Sequence, residues 1–193
     1  FLEDLALFSR AEIDNPGHRR PVALEAPFND HVVKAGNLTF RIRGRIDRID
    51  QLQDGTFEIL DYKTGSYYAP AWLGTFAGGR RLQHALYGLA AVDILKAAKH
   101  KSPQVVGATY YFSSAKGQQH PKHIPAQSKG DVANLLGDLR EVIAQGHFVH
   151  THDEEDCKFC DYGAACGARV VKRAEAKVGA PELDSYRRLR NYV

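Results

Sequence analysis

The chain has 193 residues, 44% hydrophobic, 25% charged and 10% aromatic, which fits one domain or one domain with a small appendage and excludes both a disordered acidic chain and a collagen-like repeat. A formal charge of +3 permits a polyanionic partner without demanding one. No apolar run approaches the roughly 18 residues of a membrane span, since Ala85 to Ala98 is broken by Asp93 and Lys96, and Phe1 to Arg10 lacks the basic-then-apolar order of a secretory signal, so no membrane partner is expected, while the three clustered cysteines point to a reducing, cytoplasmic compartment.

In chain order, Leu2, Leu5, Ala6 and Phe8 fall at helical spacing, and Asn15-Pro16-Gly17 ends that helix. Three alternating or β-branched runs follow, at Val22 to Phe28, Leu38 to Ile49 and Thr56 to Tyr62. Turn signals at Gly36-Asn37 and Asp54-Gly55 separate them, so they read as an antiparallel meander with a tight primed turn at Asp54-Gly55. After a glycine- and aromatic-rich linker, Arg80 to Lys99 carries Leu82, Leu86, Leu89 and Ala90 on one helical stripe. Val105 to Phe112 is a compact strand, expected to run parallel to the strand before the helix. Ser113 to Gly130 reads as a polar loop, and Val132 to Ala144 as a helix with Asp131 as N-cap and Gly146 at its end. Ala168 to Lys177 reads as a further helix, stopped at Gly179-Ala180-Pro181.

Chemistry concentrates between Gly44 and Tyr87. Gly44-Arg45-Ile46-Asp47 closes one strand and Asp61-Tyr62-Lys63 closes its hairpin partner. Asp61 and Lys63, two apart on a strand, share a face, and Asp47 approaches from the neighbouring strand. Two carboxylates beside a lysine suit a hard divalent cation such as magnesium, which takes one or two carboxylates, waters and phosphate oxygens. The lysine charge suits an attacking hydroxide or a developing oxyanion at phosphorus. Gln83 and Tyr87, four apart on the following helix, share a face and offer an amide and a phenol to the nucleic acid backbone or to the lysine. Asp50, by contrast, reads as a solvated strand-end carboxylate.

All three cysteines lie in one C-x2-C-x5-C segment, Cys157, Cys160 and Cys166. An odd number packed so closely is no disulfide framework. It reads as most of an iron-sulfur or metal site, with zinc completed by His150 or His152 as the rival. The basic residues of the C-terminal stretch, interrupted by Glu175, Glu182 and Asp184, read as a solvated helical surface.

The ordered set G-R-I-D-R-I-D (Gly44 to Asp50), I-L-D-Y-K-T-G (Ile59 to Gly65), Q-H-A-L-Y (Gln83 to Tyr87) and the cysteine segment resembles the PD-(D/E)xK nuclease superfamily, in its RecB/AddB-type branch, over about Val22 to Cys166. The resemblance implies an α/β restriction-endonuclease-like core, a central mixed sheet flanked by helices, spanning 1–150, with a cysteine-bearing extension over 151–193. It implies a magnesium- or manganese-dependent deoxyribonuclease, the exonuclease module of a helicase-nuclease in DNA repair, with DNA and a helicase domain or subunit as partners. Asp47 and Asp61 become metal ligands with the Tyr62 carbonyl, Lys63 the catalytic lysine, and Gln83 and Tyr87 the Q-x3-Y pair. Cys157, Cys160 and Cys166 become three ligands of a [4Fe-4S] cluster expected complete in the full-length parent and incomplete in this fragment. Glu25 lies on the strand where relatives often carry an acidic residue. The family's motif-one histidine and first cluster cysteine have no counterpart here beyond His18 and His31 in loop-like contexts, and the chain starts at Phe1 and contains no methionine, so a missing N-terminal part is expected. A noncatalytic DNA-end-binding or scaffolding module and an RNA-directed or CRISPR-adaptation nuclease are the rival functions.

Overall fold

The computed structural model describes residues 2–14, 19–35, 38–151, 153–158 and 160–193. Its centre is a five-stranded sheet in the order β1-β2-β3-β4-β5, with β1 (Arg19–Ala35), β2 (Leu38–Leu52), β3 (Phe57–Lys63), β4 (Val105–Phe112) and β5 (His120–Pro125). β2 runs antiparallel to both of its neighbours β1 and β3, β4 runs parallel to β3, and β5 is an antiparallel edge. The parallel step follows from the crossover helix α2 (Gln83–Ala97) between β3 and β4. This is the expected α/β architecture, a central mixed sheet flanked by helices.

β3 and β4 are buried on both faces, which is why Phe57 to Leu60 and Ala108 to Phe112 read as near-continuous apolar runs. Asp47, Ile49, Ile59, Asp61 and Lys63 lie on the face toward α2, here called the front, where Ile49 and Ile59 pack with Ala90, Ala91 and Leu95. Burial of each such isoleucine or leucine stabilises the fold by about 1.5–3 kcal/mol. α3 (Lys129–Gln145) packs Val132, Leu135 and Leu136 against Ala85, Val33 and Phe76 in a second cluster. The leucine stripe read from sequence, Leu82, Leu86 and Leu89, faces this second cluster, while Ala90, Ala91 and Leu95 face the sheet. α2 is thus apolar on two sides because it lies between two partners. On the rear face α1 (Leu2–Ile13) is held by Phe8, edge-on to Tyr62 at 5.6 Å, by Asp4 accepting from the Ala115 amide at 2.7 Å, and by Glu12. Of its expected stripe only Phe8 anchors it, since Leu2 and Leu5 are exposed.

Several local expectations are corrected. The Asp54-Gly55 turn is not a primed two-residue turn: only Gly55 has positive φ (83°), Leu52 accepts from the Gly55 amide at 3.0 Å, and Asp54 accepts from Thr56 N at 2.9 Å. A three-residue connection with a glycine bulge satisfies the same residues. The expected polar loop contains β5, whose edge position tolerates Pro121 and Pro125 and buries Ile124 alone among its side chains. The N-cap of α3 is Ser128, whose Oγ accepts from Asp131 N at 3.0 Å, so Asp131 belongs to the first turn; Gly146 closes the helix at φ 67° as expected. The Gly36-Asn37 turn lies outside the described residues.

Beyond α3 come short helices α4 (Glu154–Cys157) and α5 (Gly163–Cys166), then α6 (Val170–Val178) and α7 (Asp184–Arg190). α7 returns to the core: Leu189 joins the second cluster, and Arg188 Nε and Tyr192 OH both donate to Asp138, at 2.7 and 3.0 Å. Among the described residues no helix is long and apolar enough to cross a membrane.

Candidate active site

Asp61 and Lys63 emerge side by side at the end of β3, on the front face, as their spacing requires. Asp61 is 5% exposed. Its Oδ1 accepts from Gln83 Nε2 at 2.6 Å, its Oδ2 is ion-paired with Lys63 Nζ, and Lys63 Nζ also donates to Gln83 Oε1 at 3.3 Å. Carboxylate, amide and ammonium therefore close a ring, and Gln83, the first residue of α2, orients the other two. Lys63 remains about a third exposed and lies 5.4 Å from the centre of the Tyr110 ring. Burial raises the Asp61 carboxyl above its ordinary pKa; the Lys63 hydrogen bond and charge work against that rise and the nearby Asp47 adds to it.

The β2–β3 ladder ends with Arg48 opposite Leu60. Past that point the Asp47 side chain takes over the connection, its Oδ2 accepting from the Tyr62 amide at 2.9 Å. Asp47, the Tyr62 peptide, Asp61 and Lys63 thus converge on one strand end. Gly44 upstream leaves room for the Phe28 ring, which a Cβ there would meet at 2.7 Å. Tyr87 packs edge-on against that same Phe28 at 5.6 Å. Its hydroxyl makes no hydrogen bond to Lys63 or Gln83 among the described residues, so of the Q-x3-Y pair only Gln83 is brought into the ring.

Other expected residues lie elsewhere. Glu25 pairs with Arg45 at 3.5 Å, both largely exposed. His31 pairs with Asp93 on α2 at 3.1 Å, and His18 lies outside the described residues. Asp50 is a correction: it is 0% exposed and accepts from Arg48 Nε at 2.6 Å on the rear face, where a solvated carboxylate was expected. Tyr110, beneath Lys63, carries no signal in the sequence; only the parallel β3–β4 register places it opposite Asp61. Its hydroxyl accepts from the His84 amide at 3.2 Å, and burial pushes that phenol up to about 12. Burial, with Arg81 nearby, holds His84 down at about 4, a neutral imidazole at physiological pH.

Among the described residues no three His, Cys, Asp or Glu side chains form a ready-made metal cage. At the strand end there are two carboxylates and a peptide, all hard oxygen donors, and Asp61 Oδ2 is buried without a hydrogen bond of good geometry. That donor set fits magnesium or manganese, which keep several waters and take phosphate oxygens. The cysteines lie on α4, just after it and on α5. Burial pushes the Cys157 thiol up, and the neighbouring Cys160 and Cys166 add to the rise. Cys166 Sγ lies 3.6 Å from His150 Nδ1; His152 lies outside the described residues. Asp156, next to Cys157, is ion-paired with Arg80 ahead of α2 and accepts from Thr151 Oγ1 at 2.6 Å, which ties the cysteine segment to the base of the site helix.

Two curated relatives match parts of the chain, and each is named as a subunit of an ATP-dependent helicase/deoxyribonuclease. The one from Streptococcus uberis is 40% identical over 70 residues, covering 36% of this chain and 6% of the relative. The one from Symbiobacterium thermophilum is 38% identical over 89 residues, covering 40% of this chain and 8% of the relative. The chain therefore matches only a small fraction of either relative's length. The PD-(D/E)XK nuclease superfamily matches residues 2–167, a span that holds the sheet, the Asp47–Asp61–Lys63–Gln83 cluster and the three cysteines, and on that match the chain belongs to this superfamily.

Proposed function

We propose that the protein is a magnesium-dependent deoxyribonuclease that hydrolyses phosphodiester bonds, the exonuclease module of a helicase-nuclease acting in DNA repair. The observation that carries the reading is the ring of Asp61, Lys63 and Gln83 with Asp47 bound to the Tyr62 peptide beside it. Asp47, Asp61 and the Tyr62 carbonyl would hold the cation, which when bound supplies positive charge to the phosphate and a more acidic water. Lys63, partly in solvent, faces the incoming phosphate and offers its ammonium to the charge that develops on the phosphoryl oxygens. Gln83 orients the Asp61–Lys63 pair, because it binds the carboxylate and the ammonium through opposite ends of its amide. Tyr87 supports this end of α2 by packing on Phe28. Similarity to the two helicase/deoxyribonuclease subunits supports DNA as substrate and a helicase domain or subunit as partner. Such a site reads phosphates and not bases.

For the cysteine segment the reading is structural. Cys157, Cys160 and Cys166 would give three thiolates to a [4Fe-4S] cluster that clasps remote chain segments, since such binding energy is also folding energy. Three thiolates do not complete it, and a fourth ligand is required. The 3.6 Å approach of His150 to Cys166 favours a second reading, a Cys3His zinc site. Thiols kept reduced for either purpose fit a cytoplasmic setting.

Incubation of the protein with end-labelled single- and double-stranded DNA and magnesium or manganese tests the function. Cleavage lost in Asp61→Ala and Lys63→Ala is the expected result. DNA binding without cleavage above those controls would favour a noncatalytic end-binding module, and cleavage confined to RNA an RNA-directed nuclease.

A further inference from the structure

The strand that carries Asp47 also carries a buried charge array on the rear face. Arg48 is 5% exposed. Its Nε donates to Asp50 Oδ1 at 2.6 Å, and its Nη1 donates to Glu12 Oε2 at 2.7 Å and to the Tyr62 hydroxyl at 3.2 Å. Burial opposes the charge on Arg48, but the hydrogen bonds to Asp50 and Glu12 prevail and hold its pKa above the ordinary value. Asp50 is buried with its Oδ2 unpartnered among the described residues. Apolar residues of the same volume often stabilise a fold as well as a buried ion pair does. Stability alone therefore does not account for placing three charges here.

The contact with Tyr62 does. Tyr62 is the residue between Asp61 and Lys63, and its side chain points to the rear while its peptide faces the site. The ring is held on three sides, by Arg48 at the hydroxyl, by Phe8 edge-on at 5.6 Å and by Tyr111 at 6.2 Å. Its amide donates to Asp47 at 2.9 Å. On one side the β3–β4 register continues through Tyr62 and Lys63, opposite Tyr111 and Phe112, whereas on the other, backbone pairing with β2 stops at Arg48 and Leu60 and the Asp47 carboxylate is what meets this peptide. The rear array adds a constraint on the β2 side, and two of its three residues, Arg48 and Asp50, belong to the same G-R-I-D-R-I-D run that supplies Asp47.

We infer that Glu12, Arg48 and Asp50 are positioning residues that act through the Tyr62 side chain to fix the Tyr62 peptide and, through its amide, the Asp47 carboxylate. The array locks the site's two strands from behind at the point where their ladder ends. Its consequence for metal binding rests on the nuclease reading, whereas its effect on the Tyr62 amide does not.

Tyr62→Phe removes one hydroxyl and leaves the ring packing intact. Amide hydrogen exchange in the metal-free protein is expected to quicken about tenfold at Tyr62, with Ile59 and Leu60 in the adjoining ladder unchanged as internal controls. Manganese affinity, read by electron paramagnetic resonance of the free ion, is expected to fall about tenfold, at the low end for residues that orient metal ligands. Arg48→Lys, which keeps the charge but not the fork of donors, should show the same two effects in smaller degree. Exchange at Tyr62 within twofold of wild type in Tyr62→Phe would overturn the inference, as would unchanged affinity in a protein that binds manganese through Asp61. If the wild-type protein neither takes up manganese nor cleaves DNA, the nuclease reading fails and the exchange result alone decides the positioning role.

Discussion

Replacing Arg48 with methionine isolates the cost of the buried array. The guanidinium is the only cation touching Asp50 among the described residues, and Asp50 is fully buried and already has one oxygen without a partner. Glu12 is about a third exposed and can regain water. The loss therefore falls on Asp50, and breaking a buried pair in this way costs about 3–5 kcal/mol. For a chain of this size that corresponds to a fall in Tm of roughly 6–20 °C, at about 2–4 °C per kcal/mol. Glu12→Gln, at the more exposed end, should cost no more than about 1 kcal/mol. The double replacement Arg48→Met with Asp50→Leu should recover most of the loss, because it removes both the stranded charge and its partner. Urea unfolding of the three variants measures this directly. A loss below about 1 kcal/mol in Arg48→Met, or a double variant no more stable than the single one, would show that Asp50 is rehydrated or protonated at little cost and that the array is not a closed charge cluster.

The remaining predictions concern the front face and the cysteines. A carboxyl whose folded-state pKa is raised contributes stability below its ordinary value of 3.8 and loses that stability as pH rises through the raised value. Asp61→Asn, which stays neutral, should therefore raise Tm at neutral pH in metal-free buffer and flatten the decline from acid to neutral pH; a lower Tm than wild type at neutral pH would contradict the burial argument. Gly44→Ala places a methyl 2.7 Å from the Phe28 ring and should cost about 1–3 kcal/mol by overpacking, measured by urea unfolding; a neutral effect would mean that Phe28 and Tyr87 move aside freely. A form of the protein that carries the fourth ligand should be brown when purified anaerobically and lose iron and sulfide in Cys160→Ser, whereas a colourless protein with one zinc, lost in His150→Ala, would move the cysteine segment to the zinc reading and leave the front-face site untouched.

Much of this organisation was legible in the sequence because the relevant signals are local. Asp61 and Lys63 had to share a face once β3 was read as a strand, and Gln83 had to sit one crossover away. The pairing of Val105 to Phe112 parallel to β3 followed from the helix between them. Most of what escaped depends on contacts distant in sequence. Asp50 looks like any strand-end carboxylate until Arg48 and α1 close over it, and Tyr110 gains a role only through register with Asp61 across a parallel pair. β5 has two prolines, two histidines and a lysine in six residues, so alternation is hidden, and only its place at the sheet edge makes it a strand. Asp131 and Ser128 both suit a helix start, and the choice between them is made by one hydrogen bond.

Whether Asp47, Asp61 and Lys63 perform phosphodiester hydrolysis is decided by single-turnover cleavage of end-labelled DNA by Asp61→Asn in magnesium. The Tm of that variant, measured in the same buffer, separates lost chemistry from lost fold. The account predicts magnesium-dependent cleavage by wild type and a loss of at least about a hundredfold in Asp61→Asn, the scale on which single electrostatic groups of an active site act. Cleavage by Asp61→Asn at the wild-type rate, with the same magnesium requirement, would contradict it.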